Sequence, residues 1–308
     1  MRVFVTGASG HIGLPVVRDL LAAGHKVVGL ARSDASAAKI TSAGAEVLRN
    51  SLDDLDALRA AAKNADGVIH LAFKHDLAFA GGDFAGALAA DLRAVEAIGD
   101  ALAGSEKPFV NTTGTMLLAH SVHGRAGTEA DEGAEGGNPR VASEKLSHAL
   151  AKRGVRTSIM RLAPTVHSSL DHGGFIPMLV AAARKSGFSA YVGDGSARWP
   201  AVHTLDAARL YRLALESAPA GSHVHAAAEE GVVFRSIAEA IGRGLNVPAK
   251  SIAADDMASS LGPLLGMITQ LDNPTSSART RELLGWKPTH ADLISDIVEG
   301  HYFVSTGA

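Results

Sequence analysis

The chain of 308 residues contains no cysteine. This excludes disulfides, thiolate nucleophiles and cysteine metal sites, and it fits a reducing compartment. No apolar run approaches the roughly 20 residues of a membrane-spanning helix, so no membrane role is expected. A formal net charge of −3 gives no general attraction to nucleic acid or to an anionic membrane. No Gly-x-Ser-x-Gly elbow is present, which argues against a serine hydrolase. The 14 histidines include His120-x-x-His123, His167 with His172, and His223-x-His225, but none has a third ligand at a zinc spacing, so no metal is expected. A strand that begins within two residues of Met1 leaves no room for a signal peptide, and a cytoplasmic location is expected.

What is there centres on the run from Val3 to Gly13. Val3-Phe4-Val5-Thr6 reads as a strand buried on both faces, and Leu14, Val17, Leu20 and Leu21 mark the helix that follows. Between them stand Gly7, Gly10 and Gly13. The first permits a tight turn, the second lets a pyrophosphate approach bare backbone, and the third lets helix and strand pack closely. A helix start adds unpaired N–H groups and a positive dipole end. Thr6, Gly7, Ser9, Gly10, His11, Ile12 and Gly13 are therefore the expected dinucleotide cradle.

Further along, strand and helix alternate: strands at 26–30, 46–49, 67–72, 108–112 and 156–162, with helices between, including a long alanine-rich one over 84–102. The alternation predicts an α/β fold with a parallel, doubly wound sheet and right-handed crossovers. Ligands in such sheets sit outside the carboxyl ends of the strands, where Thr6–Gly13, Arg32, Asp53, His70–Asp76 and Thr112–Thr115 all fall. The second strand leads into Ala31, the place where an NAD-binding unit commonly carries an acid. With no carboxylate to repel a 2′-phosphate, and with Arg32-Ser33 next, NADP is favoured over NAD. Asp53 reads as part of a helix cap. The polar, glycine-rich stretch 118–138 is long enough to be a lid or binding loop.

Thr6-Gly7-x-x-Gly10-x-x-Gly13 resembles the extended and atypical short-chain dehydrogenase/reductases, which include the NAD-dependent epimerase/dehydratases. The resemblance continues through His70-Leu71-Ala72, Arg161-Leu162-Ala163-Pro164-Thr165-Val166-His167, the run Tyr191 to His203 and Leu283-Leu284-Gly285-Trp286-Lys287-Pro288. It implies a nucleotide-binding domain over 1–165 to which 201–227 return, and a small substrate lobe from 166–200 and 228–308. It implies an adenine contact at Asp53, a reading that stands equal to the helix cap. It implies that Leu71, Ala72, Pro164 and His167 lie along the cofactor, although a packed histidine is the preferred reading of His167. It implies substrate contacts near Lys74, His75, Arg198 and Trp199, and a homodimer through helices 84–102 and 139–153.

Members of this group use a Ser or Thr with a Tyr-x-x-x-Lys pair on one helix, the Tyr moving the proton. Counted back from Lys145, the Tyr position holds Val141, which cannot transfer a proton. Thr113, or else Thr115, fills the hydroxyl position. Three readings stay open. The first is hydride transfer to or from a small carbonyl or alcohol with a substitute donor: Thr113 or Thr115 through a water, His120, His123 or Tyr191. The second is a non-catalytic NADP-binding sensor. The third, an epimerase or dehydratase, is weakened most because it too needs the Tyr.

Overall fold

The computed structural model describes residues 1–304. Its main sheet has seven parallel strands: β1 (Arg2–Thr6), β2 (Lys26–Ala31), β3 (Glu46–Arg49), β4 (Gly67–His70), β5 (Pro108–Gly114), β6 (Arg156–Leu162) and, much later in the chain, β10 (Ser222–Ala226). The spatial order is β10-β6-β5-β4-β1-β2-β3. Chain direction across the sheet reverses between β1 and β4, and a crevice opens there at the carboxyl ends. Helices α1 (Gly13–Ala22), α2 (Asp34–Ser42), α3 (Leu55–Lys63), α4 (Phe84–Leu102) and α5 (Val141–Ala151) make the crossovers. The fold is the Rossmann-type α/β class expected from the alternation.

The central strands are short β-branched and aromatic runs with both faces covered; Val3, Phe4, Val5, Val68 and Ile69 are at most 1% exposed. One core lies between the sheet and the face covered by α1 and α7 (Thr204–Ser217), and includes Val17, Leu20, Met160, Leu210, Tyr211, Val224 and Trp286. A second, with Phe4, Leu58, Val95, Ile98, Phe109 and Leu150, lies on the opposite face under α3, α4 and α5.

A third core belongs to the later part of the chain. It gathers Ile176 and Leu179 of α6 (Phe175–Ser186), Tyr191 of β8 (Ser189–Val192), Trp199 of β9 (Arg198–His203), and Phe234 and Ile237 of α8 (Phe234–Leu245). Between α5 and β9 the chain also forms β7 (Thr165–His167), which pairs with β9 in a small sheet completed by β11 (Glu229–Val233). A two-stranded sheet joins β8 to β12 (Ala249–Ile252). Leu284 and Trp286 reach back to the main-sheet core, and the Trp286 indole donates to the Asp206 carbonyl at 3.0 Å. The Asp206 carboxylate accepts the Thr289 and His290 N–H groups, so it pins this C-terminal turn; the α7 cap is His203, whose Nδ1 accepts from the Leu205 N–H. The stretch 118–138 contains one 3₁₀ residue, Leu118, and otherwise neither helix nor strand beyond an isolated bridge from Gly127 to Thr275.

Candidate dinucleotide site and the β5–α5 network

The glycine turn is built by close approach. A Cβ on Gly13 would lie 2.0 Å from the Gly7 carbonyl oxygen, and one on Gly7, whose φ is +69°, would lie 2.9 Å from the Ala72 nitrogen. Gly10 differs: its Cβ would meet only the Gly7 oxygen, at 3.3 Å, and otherwise face open space. Helix α1 begins with no side-chain cap and no acid in its first turn. Bare amides, an open face and a positive helix end fit a pyrophosphate. Nearby, the His11 Nε2 is enclosed without a partner among the described residues, an atom that a ligand's oxygens could satisfy.

Thr6 has a different role from the one expected. Its hydroxyl is fully buried and accepts the Leu71 and Ala72 N–H groups at 3.2 Å each, while donating to His70 Nδ1 at 2.8 Å. It holds the β4 exit against the glycine turn, so its side chain supports the cradle from beneath. His70 then donates from Nε2 to Asp91 of α4 at 3.3 Å. Burial pushes the Asp91 carboxyl up, but the His70 bond, the Arg140 charge and the Ser143 bond outweigh it and leave the group below its ordinary value.

At the outer edge the structure brings together Arg32, Asp53, Lys74 and Asp76. Arg32 pairs with Asp76 at 2.6 Å, and Lys74 with Asp53 at 2.7 Å. The cap of α3 is Asp54, which accepts the Ala57 N–H, so Asp53 is not the capping residue. Ser33 caps α2 by accepting from the Ser36 N–H. The Arg32 side chain is 71% exposed, and such pairs are worth about 1 kcal/mol or less, so the guanidinium can exchange partners.

The other end of the crevice departs most from expectation. The Lys145 side chain is 61% exposed and its amine is bonded to Glu135 at 2.6 Å. Val141 packs toward Gly133, where a Cβ would meet it at 2.6 Å. The pair one turn apart that faces the strands is Arg140 and Glu144, one residue earlier in register. Thr113 donates to Glu144 Oε1 at 2.8 Å, and Arg161 of β6 clasps Glu144 with two bonds, at 2.8 and 2.6 Å. His223 of β10 lies 3.5 Å from the same carboxylate. Burial opposes its charge, but the Arg161 and His223 contacts prevail and hold Glu144 far below the usual carboxylate range.

Arg140 extends under the ends of β4 and β5. Its Nη2 donates to the Thr112 carbonyl at 2.6 Å, its Cζ lies 4.4 Å from the Phe73 ring centroid, and it is 3.9 Å from Asp91. Its Nε is enclosed without a partner among the described residues. The sequence signal for Arg140 and Glu144 was the same four-residue spacing that Val141 and Lys145 share.

Other expected contacts are placed elsewhere. Thr115 is fully buried and accepts from the Asn273 amide at 3.0 Å. Trp199 is 0% exposed and packs edge-on against Phe234, inside the third core with Tyr191, because burying large rings outweighs keeping them at a surface. Arg198 makes a two-bond pair with Asp272. His167 is fully buried and bonded to Asp296 at 3.0 Å, which is the packed role. Pro164 is half-buried on the link from β6 to β7. His75 lies edge-on to Phe73 beside the Arg140 charge, and His120 and His123 are exposed on the 118–138 stretch. Among the described residues one trio of ligand-type groups converges, Asp296, Glu299 and His301, with ligand atoms within 4.8 Å of one another.

Comparison with known proteins agrees with this layout. Residues 3–227 match the NAD dependent epimerase/dehydratase family. The chain is 46% identical over 303 residues to an uncharacterized protein of Schizosaccharomyces pombe, C2A9.02, covering 98% of this chain and 100% of that one. It is 42% identical to the uncharacterized Saccharomyces cerevisiae protein YLL056C, over 96% and 98% of the two chains. Among solved structures it superposes on DesIV, a dTDP-glucose 4,6-dehydratase of Streptomyces venezuelae with NAD bound, at a TM-score of 0.78, 17% identity and coverage of 98% and 97%. The chain belongs to the NAD dependent epimerase/dehydratase family.

Proposed function

We propose that this protein is an NADP-dependent oxidoreductase acting on a small carbonyl or alcohol. The observation that carries the reading is the glycine turn, where Gly7 and Gly13 are locked by backbone contact and Gly10 faces open space above an uncapped helix start. Gly10, His11 and Ile12 would hold the pyrophosphate. Leu71 and Ala72, fixed by Thr6, would line the path toward the reactive ring. Bound there, the nicotinamide supplies a two-electron hydride donor or acceptor. Family membership and the NAD held by DesIV support a nicotinamide cofactor.

The preference for the 2′-phosphate rests on Ala31 and Arg32. No carboxylate ends β2, and the exposed guanidinium can leave Asp76 for a doubly charged phosphate. Calorimetry with NADPH and NADH on the intact protein and on Arg32→Ala tests this: the wild type should prefer NADPH, and the variant should lose that preference.

One observation favours a second reading, an NADP-binding sensor without turnover. The Thr113 hydroxyl is committed to Glu144, and the position where the short-chain reductases carry their Tyr holds Val141, which packs toward Gly133. NADPH absorbance followed over a broad carbonyl panel separates the two readings. Tight binding with no oxidation on any member supports the sensor.

A further inference from the structure

The chemistry at the ends of β4 and β5 also bears on substrate class, and this step rests on the nicotinamide reading above. Three groups lie there, Thr113 and Glu144 in contact and Arg140 four residues before Glu144 at the start of α5. Thr113 gives its proton to a hydrogen bond with Glu144. Glu144 is held ionised by Arg161 and His223 against the pull of burial, so it accepts and does not donate. Arg140 is a guanidinium, which donates hydrogen bonds but does not release a proton. Beside it, desolvation first and the Arg140 charge second hold the His75 imidazole below its ordinary value, so at pH 7 it is neutral. Desolvation likewise lowers His11. This end of the crevice therefore offers a fixed positive charge with an enclosed, unpartnered Nε, and among the described residues no proton donor is bonded to that guanidinium; the Tyr211 hydroxyl, bonded to Thr112 at 2.8 Å, is fully buried.

Reducing an isolated ketone leaves an alkoxide, a base comparable to hydroxide, whose parent water has a pKa of about 15.7. Without a neighbouring acid that product is strongly disfavoured. Reducing a conjugated carbonyl leaves its charge spread over a π-system, as in a phenolate, whose parent acid has a pKa of about 10. That anion is roughly six orders of magnitude less basic, and an arginine can hold it by hydrogen bonding alone. The stack of Arg140 on Phe73 fixes the guanidinium plane for this.

We infer that the substrates are conjugated carbonyl compounds, quinones or enones, and that Arg140 binds the oxygen on which the negative charge collects. The balance is two electrons and one hydrogen from the reduced nicotinamide to the substrate, with the second proton taken from water after the anion departs.

The first test needs no turnover. 4-Nitrophenol, whose phenol and phenolate absorb at different wavelengths, is titrated with and without the protein. Its apparent pKa should fall by about one unit on binding, the scale of an adjacent charge. The fall should vanish in Arg140→Met and persist in part in Arg140→Lys, both checked by thermal melting. An unchanged pKa, or the same fall in Arg140→Met, overturns the inference. In the second test, kcat/KM with NADPH should be about 10²-fold or more higher for 1,4-naphthoquinone than for cyclohexanone, the least that a missing proton donor costs. Equal or faster reduction of cyclohexanone overturns it. If calorimetry finds no NADPH binding, the nicotinamide reading fails separately, and the phenol titration still decides the anion site.

Discussion

The two ends of the crevice are made of different materials. At the β1–α1 turn the work is done by backbone: Gly7 is held by a left-handed φ and a close contact, Gly13 by a contact that any Cβ would violate, and Gly10 is left facing open space. At the β5–α5 end it is done by side chains, and nearly all of them are already paired, Thr113 to Glu144, Glu144 to Arg161, and Arg140 to Thr112. A backbone site tolerates changes around it but not within it. A side-chain network can change its chemistry by substitution and yet keep its packing.

Removing a charge from the network should have the largest effect. Glu144→Ala leaves the Arg161 guanidinium, which is 0% exposed, without its carboxylate partner. Breaking a buried pair costs about 3–5 kcal/mol, read as a fall in urea midpoint at unchanged slope. A loss under about 1 kcal/mol would mean that the pair contributes little.

Acid should attack the same end next. His225 on β10 is fully buried, and burial first, then the Arg161 charge, brings its pKa down to about 4. The unfolded chain takes up that proton near the ordinary value of about 6.5. The stabilisation is complete above about pH 6.5 and is lost as pH falls toward 4, by at most about 1.4 kcal/mol per unit. Glu144 contributes in a lower window, lost as pH falls below the ordinary carboxylate value of about 4.3. Denaturant midpoints measured from pH 7 to pH 4.5 should fall, and His225→Gln should flatten the slope.

The glycine end should separate stability from binding. Gly13→Ala drives a methyl group into the Gly7 carbonyl and should cost about 1–3 kcal/mol along with cofactor binding. Gly10→Ala should leave the melting temperature within a degree or two of wild type and still abolish binding, because its Cβ meets only the Gly7 carbonyl oxygen, at 3.3 Å, and otherwise fills ligand space. The smallest effect belongs to the outer edge. Asp76→Asn frees Arg32 from an exposed pair worth about 1 kcal/mol or less, so NADPH should bind up to about fivefold tighter while NADH changes little.

The same contrast explains what could be read from the sequence. The glycine turn needs only residue type and spacing, both local, so Gly7, Gly10 and Gly13 announce it; the 84–102 helix was equally plain from its apolar stripe. The α5 register was not legible. Arg140 with Glu144 and Val141 with Lys145 share one spacing, and only packing against β5 and β6 decides which pair turns inward. Tyr191 and Trp199 failed for a related reason. Tyr191 was a candidate proton donor and Trp199 an implied substrate contact, but the third core takes up both rings.

The most direct measurement is titration calorimetry of NADPH into the wild-type protein and into Gly10→Ala. The account predicts saturable binding to the wild type and no heat with a variant that melts at the same temperature. No heat from the wild type, or equal binding by both, would contradict it.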